Sequence, residues 1–263
     1  MITNFHTHTA LCMHASGMPQ EYYNQAVKDG CSMLGFSDHC PYPEEMPDRW
    51  SDTRMDASEL EVYAQSVHAV QAHASIPVYF GFECEWDAAW RSWYEDTLLG
   101  TCGAQYLVLG AHWVTEGSRH VYVRQIQDAA LLNRYINQTI QAMRSGLYAF
   151  VAHPDLFMIG WKKWDAQARA CSEALIDAAA ACALPIEVNG YGLIKPPVMT
   201  ERGERYQYPV DEFWQLAAEK GASVICNSDA HAPEVVVKNA LNARKYAERF
   251  GITPVDTPFT ALQ

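Results

Sequence analysis

What most constrains this chain is the kind of residue that follows each of its short apolar runs. Seven runs have the length, the Gly or Pro borders and the β-branched and aromatic content of strands: Ile2–Phe5, Met33–Phe36, Val78–Phe82, Tyr106–Leu109, Ala149–Ala152, Pro185–Val188 and Ser223–Cys226. The first leads into His6-Thr7-His8, the second into Asp38-His39, the third into Glu83 and the fourth into His112. The fifth leads into His153, the sixth into Asn189 and the seventh into Asp229-Ala230-His231. One histidine near a strand end is ordinarily a hydrogen-bonded or surface residue. A polar, mostly metal-capable side chain after every run requires a common cause.

The cause follows from what lies between the runs. Helical patterns span Pro19–Gly30, Asp56–His73, Gln125–Ser145, Asp165–Cys182, Val210–Glu219 and Pro233–Phe250, with a weaker one at Asp87–Leu99. Asp56 and Glu59 have capping-box spacing, and Gly146, Gly221 and Gly251 sit where helices should end. Strand–helix alternation implies a mainly parallel sheet with helices outside it. Seven strands suggest a closed or nearly closed barrel, a TIM-like α/β fold, as one domain over residues 1–263. Parallel strands deliver their C-terminal ends to one rim, where barrels of this kind carry their chemistry. The long loops Cys40–Arg54, Thr115–Arg124 and Asn189–Tyr208 should surround that rim.

Composition narrows the partners. The formal charge is −12, and no Lys/Arg-rich run is present, which argues against broad nucleic-acid or anionic-membrane binding. No segment approaches the roughly 18–20 apolar residues of a membrane span. The opening Met1–His6 has no basic or apolar signal region, and the eight cysteines contain no Cys-x-x-Cys pair. They read as reduced thiols, several of them in the core of a cytoplasmic protein. His68, His73 and His120 are expected on the surface. The oligomeric state is left open.

His6 and His8 alternate along a strand and so point to the same side, where both can bind one ion. The collected donors are nitrogen and oxygen, which suits Zn, Mn, Fe or Co. Nine candidates (His6, His8, His14, His39, Glu83, His112, His153, Asp229 and His231) exceed one coordination shell, so two or three divalent ions are expected.

These motifs, His6-Thr7-His8-Thr9-x-x-Cys12-x-His14, Ser37-Asp38-His39, Glu83, His112, His153-Pro154-Asp155 and Ser228-Asp229-Ala230-His231, resemble the polymerase-and-histidinol-phosphatase (PHP) superfamily. Within it the chain is most similar to the histidinol-phosphate phosphatases. The resemblance implies a distorted seven-stranded (β/α) barrel with its metals, zinc, iron or manganese, at the C-terminal rim. It also implies a division of ligands: His6, His8, Glu83 and Asp229 on a first ion, and Glu83, His112 and His153 on a second. His14, His39 and His231 would hold a third, with Glu83 bridging the first two.

The implied reaction is hydrolysis of a small phosphate monoester, most specifically L-histidinol phosphate in histidine biosynthesis. A water bridging two close cations loses a proton near neutral pH and becomes a nucleophile. No Gly-x-Ser-x-Gly, Cys-x5-Arg or P-loop motif offers a covalent or nucleotide-cradling alternative. Glu83, Asp229 and His231 are the expected catalytic groups, with Asp229 moving the proton. Of the loop cations Arg119, Lys162, Lys163, Lys195, Arg202 and Arg205, the pair Lys195 and Arg205 is preferred for the phosphate. Trp113 and Glu116 would contact the rest of the substrate. Competing readings are a PHP phosphoesterase or exonuclease acting on nucleotides, and an amidohydrolase-type C–N hydrolase. The first lacks a basic groove. The second typically places a lysine where Glu83 stands.

Overall fold

In a computed structural model that describes residues 1–259, the seven runs form one parallel sheet. The strands are β1 (Thr3–Asn4), β2 (Met33–His39), β3 (Val78–Cys84), β4 (Tyr106–Leu109), β5 (Phe150–Val151), β6 (Ile186–Asn189) and β7 (Val224–Asn227). They are hydrogen-bonded in chain order. Six α-helices lie among them: α1 (Pro19–Lys28), α2 (Leu60–Gln71), α3 (Ala129–Arg144), α4 (Ala166–Ala181), α5 (Asp211–Glu219) and α6 (Lys238–Glu248). The last four residues of the expected 1–263 domain lie outside the described residues.

The barrel nearly closes. β1 and β7 meet through one parallel bridge, Thr7 to Ala230. Below it, two asparagine side chains take over from the backbone ladder. Asn227 Oδ1 accepts the Phe5 N–H at 2.8 Å, and Asn4 Oδ1 accepts the Ser228 N–H at 2.8 Å. Asn227 Nδ2 also donates to Glu187 Oε1 at 3.0 Å, joining the seam to the rim. Inside the barrel Phe5, Tyr106, Val108, Phe150, Ala152 and Ile225 form a core separate from the one under the helices. Tyr106 donates to the carbonyl of Phe5 at 2.9 Å, and Phe259 packs edge-on against both rings at the end opposite the rim.

Several elements depart from the pattern in the sequence. β2 and β3 run on through His39 and Cys84, so His39 and Glu83 are strand residues rather than loop residues. The expected helix at Asp87–Leu99 is a 3-10 turn followed by a π-helix over Trp93–Thr101, which seats the buried Tyr94 and Leu98. α3 begins after Asp128, whose side chain caps it, because Val123–Gln125 forms its own 3-10 turn. The expected loop Thr115–Arg124 contains most of a hairpin, Trp113–Glu116 paired with Arg119–Tyr122. The loop after β6 carries a second hairpin, Val198–Thr200 with Gly203–Arg205.

The asparagine seam makes a stability prediction. Asn227→Leu strands the Phe5 N–H, at roughly 1–3 kcal/mol for a buried group, and takes from Glu187 Oε1 one of its two hydrogen bonds, the other being to His6 Nδ1. Urea unfolding should show that loss as a lower midpoint. A loss under about 1 kcal/mol would mean that the seam does not depend on this amide.

Candidate metal centre

The C-terminal rim gathers the expected residues around one carboxylate. Glu83, in β3, is 1% exposed. Its Oε2 lies 3.4 Å from His6 Nε2, 3.5 Å from His8 Nε2 and 3.1 Å from His39 Nδ1. Its Oε1 lies 3.0 Å from His153 Nε2 and 3.6 Å from His112 Nε2. The two oxygens therefore face two different histidine groups. Asp229 Oδ1 completes the first group, 3.1 Å from His8 Nε2 and 3.6 Å from His6 Nε2. Gly110, just past β4, leaves room for Glu83, because a Cβ there would collide with its carboxylate. His153 and Asp229 take left-handed backbone, φ 30° and 50°, which is unusual for non-glycine residues and marks a constrained site.

Further carboxylates aim the imidazoles. Glu187 Oε1 is 2.8 Å from His6 Nδ1, Asp38 Oδ1 is 3.3 Å from His8 Nδ1, and Glu85 Oε1 is 2.8 Å from His112 Nδ1. A carboxylate accepts, so each Nδ1 carries a proton and Nε2 is the atom each ring can offer to an ion at the centre. Glu85 is itself held by Arg54, 3.1 Å from each of two guanidinium nitrogens, and Arg54 is wedged against Tyr42 and Trp113. Asp38, Glu85, Glu187 and Arg54 went unassigned in the sequence. Glu85 was findable, because it follows Glu83 at the strand period of two.

The donor set fits a metal. His6 Nε2, His8 Nε2, His39 Nδ1 and Asp229 Oδ1 are buried without a hydrogen-bond partner. Five carboxylates of this rim, Asp38, Glu83, Glu85, Glu187 and Asp229, are buried, and of these Glu85 alone pairs with an arginine, Arg54. Unpaired buried charge at this density requires cations. Burial opposes the charge on Glu83, yet His112, His6 and His39 hold its carboxyl well below the usual range. Asp229 is held down against burial by His6 and His8. Burial and the neighbouring His8 push His231 down to about 3, so it stays a neutral donor at ordinary pH.

Beside this nest is a cavity of about 360 Å³. Trp50, Tyr122, Tyr191, Tyr208 and Leu156 line it together with the histidines and Lys195. Lys195 Nζ sits 4.1 Å from the centre of the Tyr191 ring. The other expected substrate contacts fall elsewhere. Arg205 spends its guanidinium on the carbonyls of Tyr206, Gln207 and Met158 at 2.6–2.9 Å and borders a separate cavity with Lys162, Lys163 and Arg202. Glu116 is exposed and pairs with Arg134 at 3.1 Å. Trp113 is buried one layer behind Trp50. Arg119 lies in the hairpin and is exposed. His120 is not a surface residue: its ring stacks on Trp113 at 4.3 Å and its Nδ1 meets the Asp48 carbonyl at 2.7 Å, because the hairpin folds it inward. His68 and His73 are exposed as expected.

Glu83→Gln should lose more metal than any single His→Ala change, because one carboxylate faces both histidine groups. Gly110→Ala should lose metal in the same way although it removes no ligand residue, because its Cβ displaces the Glu83 carboxylate. Elemental analysis of folded, metal-loaded protein checks both. Wild-type metal content in either variant would remove Glu83 from the centre.

Comparison with known proteins agrees with the geometry. The PHP domain family matches residues 4–190. A protein of Deinococcus radiodurans named "Probable histidinol-phosphatase" is 31% identical over 240 residues, covering 87% of this chain and 85% of its own. The histidinol phosphate phosphatase of Lactococcus lactis, solved with zinc, L-histidinol and phosphate, superposes with a TM-score of 0.68 at 15% identity, covering 96% of this chain and 95% of that one. A candidate histidinol phosphatase of Listeria monocytogenes also gives 0.68, at 14% identity over 93% of this chain and 99% of that one. Matched in sequence over most of its length, with the matching motifs gathered on one rim, this chain belongs to the PHP domain family.

Proposed function

We propose that this chain is a metal-dependent phosphomonoesterase whose substrate is L-histidinol phosphate. The observation that carries the reading is the juxtaposition at one rim: a nest of unpartnered metal donors opens into a small cavity walled by aromatic rings and one lysine. The name of the Deinococcus relative and the ligands of the Lactococcus structure favour the substrate. The cavity volume suits a small monoester better than an oligonucleotide. The acidic balance of the chain points the same way. We read the whole chain as one catalytic domain, and its eight free cysteines favour a reducing compartment such as the cytoplasm. No helix among the described residues is long and apolar enough to cross a membrane.

His6, His8, Glu83 and Asp229 would hold one ion and Glu83, His112 and His153 a second. Divalent ions there supply positive charge for the phosphoryl oxygens and lower the pKa of water. The side chains of the protein do the rest. Lys195, half-buried beside Tyr191, offers an ammonium to a phosphate oxygen at the cavity wall. The rings of Trp50, Tyr122 and Tyr208 give an imidazole flat faces to stack on. Asp229 Oδ2 is steadied by Asn189 Nδ2 at 3.0 Å, while Oδ1 faces the histidines without a hydrogen bond. That carboxylate can accept a proton from the attacking water and return it to the departing alkoxide.

The deciding assay is a phosphatase panel on metal-reconstituted protein, with histidinol phosphate beside sugar, nucleotide and amino-acid phosphates. Preference for another ester overturns the substrate, and no turnover of any ester overturns the activity. Lys195→Ala should raise KM for the preferred ester several-fold with kcat little changed. Arg205→Ala should leave KM alone, because its guanidinium is already spent on carbonyls.

Asp229→Asn should cut kcat/KM more for an alkyl phosphate than for p-nitrophenyl phosphate, whose leaving group barely needs a proton. Equal losses at matched metal occupancy would leave Asp229 as a ligand only.

A further inference from the structure

The resemblance assigns a third ion to His14, His39 and His231, and the structure arranges these residues differently. His39 turns its Nδ1 to Glu83, at 3.1 Å. His14 and His231 instead face each other, with their Nε2 atoms 3.0 Å apart. His14 Nδ1 lies 2.7 Å from the Cys12 carbonyl, and His231 Nδ1 lies 3.1 Å from the Asp229 carbonyl. A carbonyl only accepts, so both Nδ1 atoms carry the protons and both Nε2 atoms present lone pairs. At 3.0 Å either one of the two rings takes up a second proton and donates it to the other, or a metal ion lies between them. The Cys12 thiol, fully buried, stands 4.0 Å from His14 Nε2, and its sulfur falls in one donor cluster with the two rings.

We propose that Cys12 is a thiolate ligand of the ion held by His14 and His231, which makes this position a site for a thiophilic cation such as Zn²⁺, Fe²⁺ or Co²⁺. The inference rests on the metal-centre reading and goes beyond it by adding sulfur to the ligand set. The spacing agrees: tetrahedral zinc with bonds of about 2.3 Å to sulfur and about 2.0–2.1 Å to nitrogen puts S and N about 3.6 Å apart and the two N atoms about 3.3 Å apart. His8, His39 and His231 form a further donor cluster that shares His231 with this one, so the position borders the Glu83 group. The His8 ring also stacks on His231 with centroids 4.3 Å apart. On binding, the thiol gives its proton to solvent and the sulfur lone pair forms the bond to the ion. Sulfur shifts the preference of the site from Mg²⁺ and Ca²⁺ toward softer ions.

The test is cobalt substitution of the whole chain, read by absorbance. Cobalt bound by a thiolate gives an intense sulfur-to-metal charge-transfer band in the near ultraviolet, which nitrogen and oxygen ligands do not produce. Wild type should show the band, and Cys12→Ser should lose it while circular dichroism confirms the fold. His14→Ala, a change at an exposed ring, should also lose it although Cys12 remains. Cobalt bound without the band in wild type overturns the cysteine ligand and leaves the metal centre standing. A band that persists in Cys12→Ser overturns it, and one that persists in His14→Ala overturns its placement beside His14. A wild-type chain that binds no cobalt overturns both readings.

Discussion

The structure turns on burying the Glu83 carboxylate among imidazoles. A lone carboxylate in a dry interior costs several kcal/mol, and this one is 1% exposed. The cost is offset only if positive charge or many donors converge on it. Five imidazoles from four strand ends do so, two groups facing the two oxygens. Each of those ends must arrive at the same height, and a parallel barrel is the arrangement that achieves this. Gly110 has no side chain because the carboxylate needs its space.

The outer carboxylates extend the same logic. Glu187, Asp38 and Glu85 each fix one ring by accepting a hydrogen bond from its Nδ1–H, so the free nitrogens need no search to find their positions. Their charge is carried further into the fold. Glu85 leans on Arg54 and the aromatic clamp of Tyr42 and Trp113, and Glu187 takes the amides of Asn189 and Asn227. The seam asparagine thus bonds both the Phe5 backbone that closes the barrel and the carboxylate that aims His6. Closing the barrel and building the site are one event. The same chain of contacts explains why Trp113 and His120 belong to the structure rather than to the cavity: they support the clamp.

The seven strands and the donors near their ends were legible in the sequence, because period and punctuation report local structure directly, although β2 and β3 run further than their apolar runs. The seven runs fall where the seven strands are, and the nine donors surround one rim. What was not legible was the direction of long side chains in the loops. Lys195 and Arg205 look alike as loop cations, but a hairpin turns Arg205 onto carbonyls while a 3-10 turn leaves Lys195 against Tyr191. The resemblance puts His14 and His231 on one ion, but that their Nε2 atoms face each other across 3.0 Å while His39 turns to Glu83 is known only from the structure.

The division has a physical reason. Alternation of apolar strands with amphipathic helices fixes a parallel sheet, and a parallel sheet fixes which ends share a rim. Those are consequences of backbone hydrogen bonding and burial, which the residue pattern encodes locally. Which nitrogen of each ring is free, which carboxylate aims it and which aromatic rings wall the cavity depend on contacts between segments distant in sequence. Only the tertiary structure decides those, because each rotamer is chosen by partners that arrive from other strands.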